Sequence, residues 1–232
     1  MINNKEKIIE YFRSGVKQPK DFKIGIEHEK FLFEKENYKR VDYSKIKEMF
    51  NALLEFGWKP VFEKDNIIAL NKGGKNITLE PGNQIELSGE KLNHIHEACS
   101  EAQDYLFELK QVTKKLNIEI VSAGFDPISK LAEIPNNPKQ RYKLMTKDMP
   151  FGGELSLDMM YRTCGTQLNI DYSSEDDFIK KFKVVNSIVP ISIALFANSS
   201  IVEKKKAIIY LIDQKFGKIH LEVVYQRYFL KI

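Results

Sequence analysis

The chain has 232 residues, 43% of them apolar and 29% charged, with a net charge of +4; it can bury a sizeable core, and its small, dispersed basic excess argues against a nucleic-acid partner. Two cysteines, Cys99 and Cys164, are too few for a disulfide framework and are not spaced as a metal site. No run approaches the roughly 20 apolar residues that span a bilayer, and the charged N-terminus has no signal-peptide core, so a cytoplasmic protein with no membrane partner is expected.

Residues 4–14 carry Ile8, Ile9, Tyr11 and Phe12 and predict a short helix closed by Gly15. Residues 23–33 predict a strand with Ile24, Ile26, His28 and Lys30 on one face and Gly25, Glu27, Glu29 and Phe31 on the other. Ile46, Met49, Phe50, Leu53 and Leu54 have helical spacing over 42–56, with Gly57 as the cap. Short strands are predicted at 58–63, 66–71, 76–80 and 84–87, with turns at Asp65-Asn66 and Gly73-Gly74. The longest predicted helix is 93–116. A strand at 118–125, a helix at 141–149, a strand at 159–172 and a helix at 178–197 complete the series. Strands with hairpin-like neighbours and interspersed helices predict an α+β fold: an antiparallel sheet with helices packed on one face.

Three segments could carry chemistry. Glu27 and Glu29, at i and i+2 on a strand, point the same way and repel unless one is protonated or a cation lies between them; the same pattern also suits a solvated strand face. His28 faces the other side and reads as a packed or hydrogen-bonded histidine. Glu80 ends one strand, Pro81-Gly82 turns the chain, and Glu86 lies on the next strand, where both could face the cleft of Glu27 and Glu29; an ordinary exposed hairpin is the alternative. In the predicted strand 159–172, Thr163, Gln167 and Asn169 share a face with Arg162 at its entry, and an arginine suits bidentate grip of a carboxylate. Cys164 reads as a buried thiol, with no activating histidine near it in sequence. Neither glycine pair matches a phosphate-binding loop.

The runs IGIEHEKF (24–31), LEPGNQIELSG (79–89), LDMMYRTC (157–164), QLNID (167–171) and LFANS (195–199), with Pro138, Arg141-Tyr142 and Met149-Pro150 between them, resemble in order the plant and proteobacterial type of glutamate–cysteine ligase. The resemblance spans about 24–200. It implies a glutamine synthetase-like fold, here incomplete, in which an antiparallel sheet forms a funnel. It also implies ATP-driven formation of γ-glutamyl phosphate from glutamate, attacked by the amine of cysteine, in glutathione biosynthesis. Carried over residue by residue, it makes Glu27, Glu29 and Glu80 magnesium ligands and Glu86 a further cleft carboxylate with a catalytic part. Arg162 and Thr163 become amino-acid contacts, Arg162 with a catalytic part, and Gln167 and Asn169 become substrate-, metal- or phosphate-side groups. The implied partners are glutamate, cysteine and ATP with Mg2+. The loop Phe151-Gly-Gly-Glu154 departs from the family pattern. A carboxylate–amine ligase using another amine, or a partial fold without catalysis, are the competing readings.

The resemblance stops near a lysine run, so the expected division is a partial catalytic domain at 1–203 and a non-family tail at 204–232 read in a shifted frame, and the 232-residue chain is expected to be inactive as a ligase by itself. Joining the last base of each codon from Ile209 onward to the first two of the next permits Leu-Ser-Tyr-Arg-Ser-Lys-Ile-Trp, then, after one open codon, Asn-Thr, and after another, Arg-Gly-Gly-Leu-Pro, which is ligase-like. Residues 207–232 are then expected to be poorly ordered, and their apolar content an aggregation liability. Sequencing the DNA across 204–206 tests this: stop codons soon after Lys206 in the shifted frame would exclude it.

Overall fold

A computed structural model describes residues 4–206; the expectations for 207–232 lie outside the described residues. In chain order the elements are α1 (Lys5–Ser14), β1 (Ile24–Glu34), α2 (Tyr43–Leu53), β2 (Lys59–Glu63), β3 (Asn66–Lys72), β4 (Lys75–Leu79), β5 (Ile85–Ser88), α3 (Ile95–Lys115), β6 (Ile118–Val121), α4 (Gln140–Asp148), α5 (Ser156–Arg162), β7 (Thr166–Ile170), α6 (Glu175–Phe196), β8 (Ile201–Val202) and β9 (Lys205–Lys206). The β8–β9 hairpin turns at Glu203 and Lys204, so a paired element crosses the boundary expected after residue 203.

Seven strands form one sheet in the order β2-β3-β4-β5-β1-β6, with β7 also paired to β1, and every pairing is antiparallel. Because Glu27 pairs with both Ser88 of β5 and Gln167 of β7, those two strands flank β1 on opposite edges. The α+β class is therefore observed.

The local signals explain the elements. Asp42 caps α2 by accepting the Lys45 N–H, and Ile46, Met49, Phe50 and Leu53 of that helix are fully buried. The chain leaves the following turn through Gly57 in the left-handed region, φ 86°. α2 and α3 cover one sheet face, where Leu32, Ile67, Leu70, Ile77, Leu79, Ile85 and Leu87 meet Tyr105, Leu109 and Val112. Each fully buried Leu or Ile contributes about 1.5–3 kcal/mol, so this side holds the sheet together.

One predicted element is different. Residues 159–172 are not one strand: α5 occupies 156–162, and β7 begins at Thr166. The stretch before residue 162 is rich in Leu and Met, which are good helix formers. Its Asp158 and Arg162 make an i,i+4 ion pair of 2.8 Å, and Met160 and Tyr161 are buried against Ile134 and Tyr142.

On the sheet face opposite α2 and α3, Arg40 and Asp126 form an ion pair of 3.0 Å with both side chains fully buried. The Arg40 guanidinium lies 4.7 Å from the Phe31 ring centroid and donates to the carbonyl of Gly82. Asp126 also accepts the N–H groups of Ile128 and Ser129, both at 2.8 Å. Removing one partner leaves a buried charge alone. Arg40→Leu is expected to lower the unfolding free energy by about 3–5 kcal/mol, and the double variant with Asp126→Leu to recover much of it. Denaturant unfolding checks this; a loss below about 1 kcal/mol for the single variant would contradict it.

Candidate active site

Strand alternation sets the first two carboxylates. Glu27 and Glu29 leave β1 on the face away from α3, and the register sets Glu29 opposite Glu86 on β5. Glu80 follows β4 at the start of the turn to β5. All four glutamates line one cavity of about 570 Å³, together with Gln84, Arg141, Tyr142, Thr163, Gln167 and a wall of Met145, Met149, Met159 and Met160.

The turn that carries Glu80 is tightly built. The Glu80 carbonyl accepts the Asn83 N–H at 2.9 Å, and Asn83 adopts φ 60°, a conformation asparagine tolerates. A Cβ on Gly82 would lie 2.7 Å from the Tyr161 carbonyl oxygen and 2.8 Å from Ile134 Cγ2, so only glycine fits. Gln84 is buried. Its amide donates to the carbonyls of Tyr161 at 3.2 Å and Thr163 at 3.0 Å, which ties this turn to the segment between α5 and β7.

The carboxylates are under electrostatic strain. Burial raises the pKa of Glu29 to about 7; the Gly165 N–H partly opposes this, and Glu80, Glu86 and Glu27 add to it. That N–H donates to Glu29 Oε2 at 2.6 Å. Burial also raises Glu80, with Glu86 next, while Lys139, Tyr142 and Thr78 pull it back; the Tyr142 hydroxyl donates to Glu80 at 2.9 Å. Glu27 is raised by burial and by Glu86, against a hydrogen bond from Asn169. Mutually repelling carboxylates on one wall are the donor chemistry a hard divalent cation relieves. Among the described residues, no three His, Cys, Asp or Glu side chains are already gathered around a single ion position.

The other expected site residues divide. Thr163 and Gln167 line the cavity, although the Thr163 hydroxyl donates to the Met159 carbonyl at 2.6 Å. Asn169 is exposed beside the cavity: its amide donates to Glu27 at 3.4 Å and its oxygen accepts from Gln167 at 3.0 Å. Arg162, expected to contact the amino-acid substrates, is not among the lining residues. It is buried, paired with Asp158 at 2.8 Å and Glu203 at 3.2 Å, and stacked 4.5 Å from the Phe125 centroid. The reason is the helix: α5 carries Arg162 beside Asp158, one turn back, where a strand would have directed it elsewhere. Arg141 of α4 is the arginine that lines the cavity. Sequence reasoning left it without a role, although Arg141-Tyr142 stands in the resemblance. His28 is half-buried, and burial lowers its pKa, as befits a packed neutral histidine. Cys164 is a buried free thiol whose pKa burial pushes up, and so is unsuited to attack.

A family model described as glutamate–cysteine ligase family 2 matches residues 23–206. The chain is 45% identical over 202 residues to the chloroplastic glutamate–cysteine ligase of Nicotiana tabacum, covering 87% of this chain and 39% of that protein. It is 43% identical to the chloroplastic glutamate–cysteine ligase A of Oryza sativa subsp. japonica and 44% identical to the Medicago truncatula enzyme, each over 202 residues and 87% of this chain, and over 41% and 40% of those proteins. The chain thus spans 39–41% of the length of these curated relatives. Their names correct the cytoplasmic expectation, since all three are chloroplastic proteins. Among the described residues, no helix is long and apolar enough to cross a membrane.

The raised carboxyl of Glu29 has a consequence for stability. Its ordinary value is 4.5 and its folded value about 7, so between these the folded chain holds the extra proton. Stability from this group is full below the lower value and is lost as pH rises through the upper one. Without divalent cations, Glu29→Gln is expected to lessen the fall in unfolding free energy between pH 4.5 and about 7. Chemical denaturation across that window measures it, and an unchanged pH slope would count against the assignment.

Proposed function

The chain belongs to glutamate–cysteine ligase family 2, and from that premise we propose that its acidic cavity is part of the site where a ligase joins the γ-carboxylate of glutamate to the amine of cysteine using ATP. The observation that carries this is the gathering of Glu27, Glu29, Glu80 and Glu86 on one cavity wall, with three of them held above the ordinary carboxylate range. The antiparallel sheet, with its carboxylates on one face and α2 and α3 packed on the other, supports a glutamine synthetase-like arrangement.

In the reaction, the γ-phosphoryl group passes from ATP to a γ-carboxylate oxygen of glutamate and ADP departs. The amine nitrogen of cysteine then bonds to the acyl carbon, the carbon–oxygen bond to phosphate breaks, and the nitrogen loses its proton. Glu27, Glu29 and Glu80 would hold Mg2+, and Glu86 stands beside them. Bound there, the metal would offset the charge on the phosphate oxygens. The chain's own groups do the rest. The Gly165 N–H orients the Glu29 carboxylate, and the Tyr142 hydroxyl orients Glu80. Gln167 orients Asn169 against Glu27. The cationic role expected of Arg162 passes to Arg141, whose guanidinium suits the carboxylate or phosphate of a substrate. Thr163 stands nearby on the wall. The Met149–Met159 side of the cavity lowers water access and strengthens these interactions.

A chimera tests this, with residues 23–206 of this chain replacing the matching stretch of the tobacco ligase. It is expected to form γ-glutamylcysteine with dependence on ATP and Mg2+. Glu29→Gln in it should lower kcat/KM by about a hundredfold or more. Arg141→Ala should raise the KM for glutamate or ATP with unchanged thermal stability, whereas Arg162→Ala should lower the melting temperature first. A folded chimera that ligates nothing, or ligates glutamate to other amines and not to cysteine, would overturn the reading.

A further inference from the structure

One residue at the start of α4 breaks two local rules. Lys139 is the N-cap of that helix and makes no side-chain cap hydrogen bond. A cation at a helix N-terminus opposes the helix dipole, and the residues favoured there are Ser, Thr, Asp and Asn. Lys139 is also half-buried, where a lysine ammonium is costly to take out of water. Its ammonium donates to a backbone carbonyl, that of Leu79 at 2.6 Å, and not to a carboxylate. Burial disfavours its charge, Glu80 supports it, Arg141 opposes it, and Glu86 and Glu63 support it again. A residue that the local rules disfavour is expected where function requires it.

The carbonyl that Lys139 holds is the last of β4, next to Glu80. The same segment holds the two carbonyls that follow. Asn137 is buried, and its amide donates to the carbonyls of Glu80 at 2.8 Å and Pro81 at 3.0 Å. Its side-chain oxygen accepts the Lys139 N–H at 3.1 Å. The Tyr142 hydroxyl reaches the Leu79 carbonyl at 3.2 Å as well as the Glu80 carboxylate. The Tyr142 ring centroid lies 5.2 Å from the Lys139 ammonium and 5.7 Å from the Arg141 guanidinium. The Gln140 N–H donates to Glu63 of β2 at 2.9 Å, which ties the helix start to the sheet. Residues 137–142 thus hold the backbone at 79, 80 and 81 and the Glu80 side chain. Arg141, from the same turn, lines the cavity, whereas Lys139 stands behind its wall.

We propose that Lys139, with Asn137, is a positioning residue of this site: it holds the Leu79–Pro81 backbone so that Glu80 meets a divalent cation at a fixed place. The inference rests on the reading that the acidic cavity holds such a cation. Lys139 acts through Glu80 and touches neither cation nor substrate. Because Arg141 belongs to the same turn, the clamp also fixes the distance between the cation side and the arginine side of the cavity. Groups behind a metal's ligands set its affinity by orienting them. Two opposing effects separate this role from simple electrostatics. An ammonium near the carboxylates repels a cation, so by charge alone its removal tightens cation binding. If Lys139 positions Glu80, its removal weakens binding instead.

The test titrates the 232-residue chain with Mn2+, whose ligand preferences resemble those of Mg2+, and follows the loss of the free-ion signal by electron paramagnetic resonance. Circular dichroism shows that each variant is folded at the titration temperature. Lys139→Met is expected to weaken Mn2+ binding by about tenfold or more. Lys139→Gln, which stays polar, gives the same readout should the methionine variant unfold. In a Glu80→Gln background, itself weakened, Lys139→Met should add little, because the two residues act as one unit. Unchanged or tighter Mn2+ binding in the folded lysine variants would overturn the proposal. So would a loss of the same size in the Glu80→Gln background, since Lys139 would then not act through Glu80. A folded parent chain that binds no Mn2+ would overturn the cation reading of the cavity and this proposal with it, whereas a parent that binds and variants that bind equally well overturn this proposal alone.

Discussion

The antiparallel register between β1 and its two neighbours is the constraint on which the rest depends. It sets Glu29 against Glu86 and Glu27 against Gln167. With the same step it sends Leu32 and Leu87 to the helices on the other face. A slip of one residue would exchange the two sets, driving glutamates into the hydrophobic core and leucines into the cavity. The core therefore fixes the site: burial of apolar residues by α2 and α3 locks the register, and the register holds like charges together against their repulsion.

That repulsion is also contained by polar scaffolding behind the cavity. Arg40 lies against Phe31, one position beyond Glu29 on the same face of β1, and links Asp126 to the turn after Glu80. Gln84 links that turn to α5 and to the start of β7. Four chain segments that are distant in sequence thus meet through buried hydrogen bonds. In such surroundings a satisfied network is rigid and a broken one is costly. The carboxylates stay where burial raises their pKa values because the backbone beneath them cannot relax.

The two arginines show how local structure decides chemistry. Arg162 is drawn out of the cavity by its own helix, which supplies Asp158 at i−4, and by Glu203 from the β8–β9 hairpin. Arg141 stands on α4 at the cavity edge, above Tyr142. Both lie in segments that look alike in composition, and their roles separate only when the helix positions are known.

The sequence by itself determined most elements and the pairing of Glu27 with Glu29, because side-chain alternation in a strand and helical spacing are local rules. Turn chemistry at Pro81-Gly82 similarly foretold a chain reversal between Glu80, just after β4, and Glu86 on β5. The tertiary structure alone decided where Arg162 points, since 156–162 has both helix and strand character and the choice was made by packing against Ile134 and Tyr142. It alone brought Arg141, Tyr142 and Gln84 to the site: Tyr142 meets Glu80 62 residues away, and Gln84 meets Tyr161 and Thr163 77 and 79 residues away, and no periodicity reports contacts of that range. The charge state of Glu29 was likewise out of reach, since it depends on burial and on the distance to three other carboxylates, and these exist only once the sheet has closed.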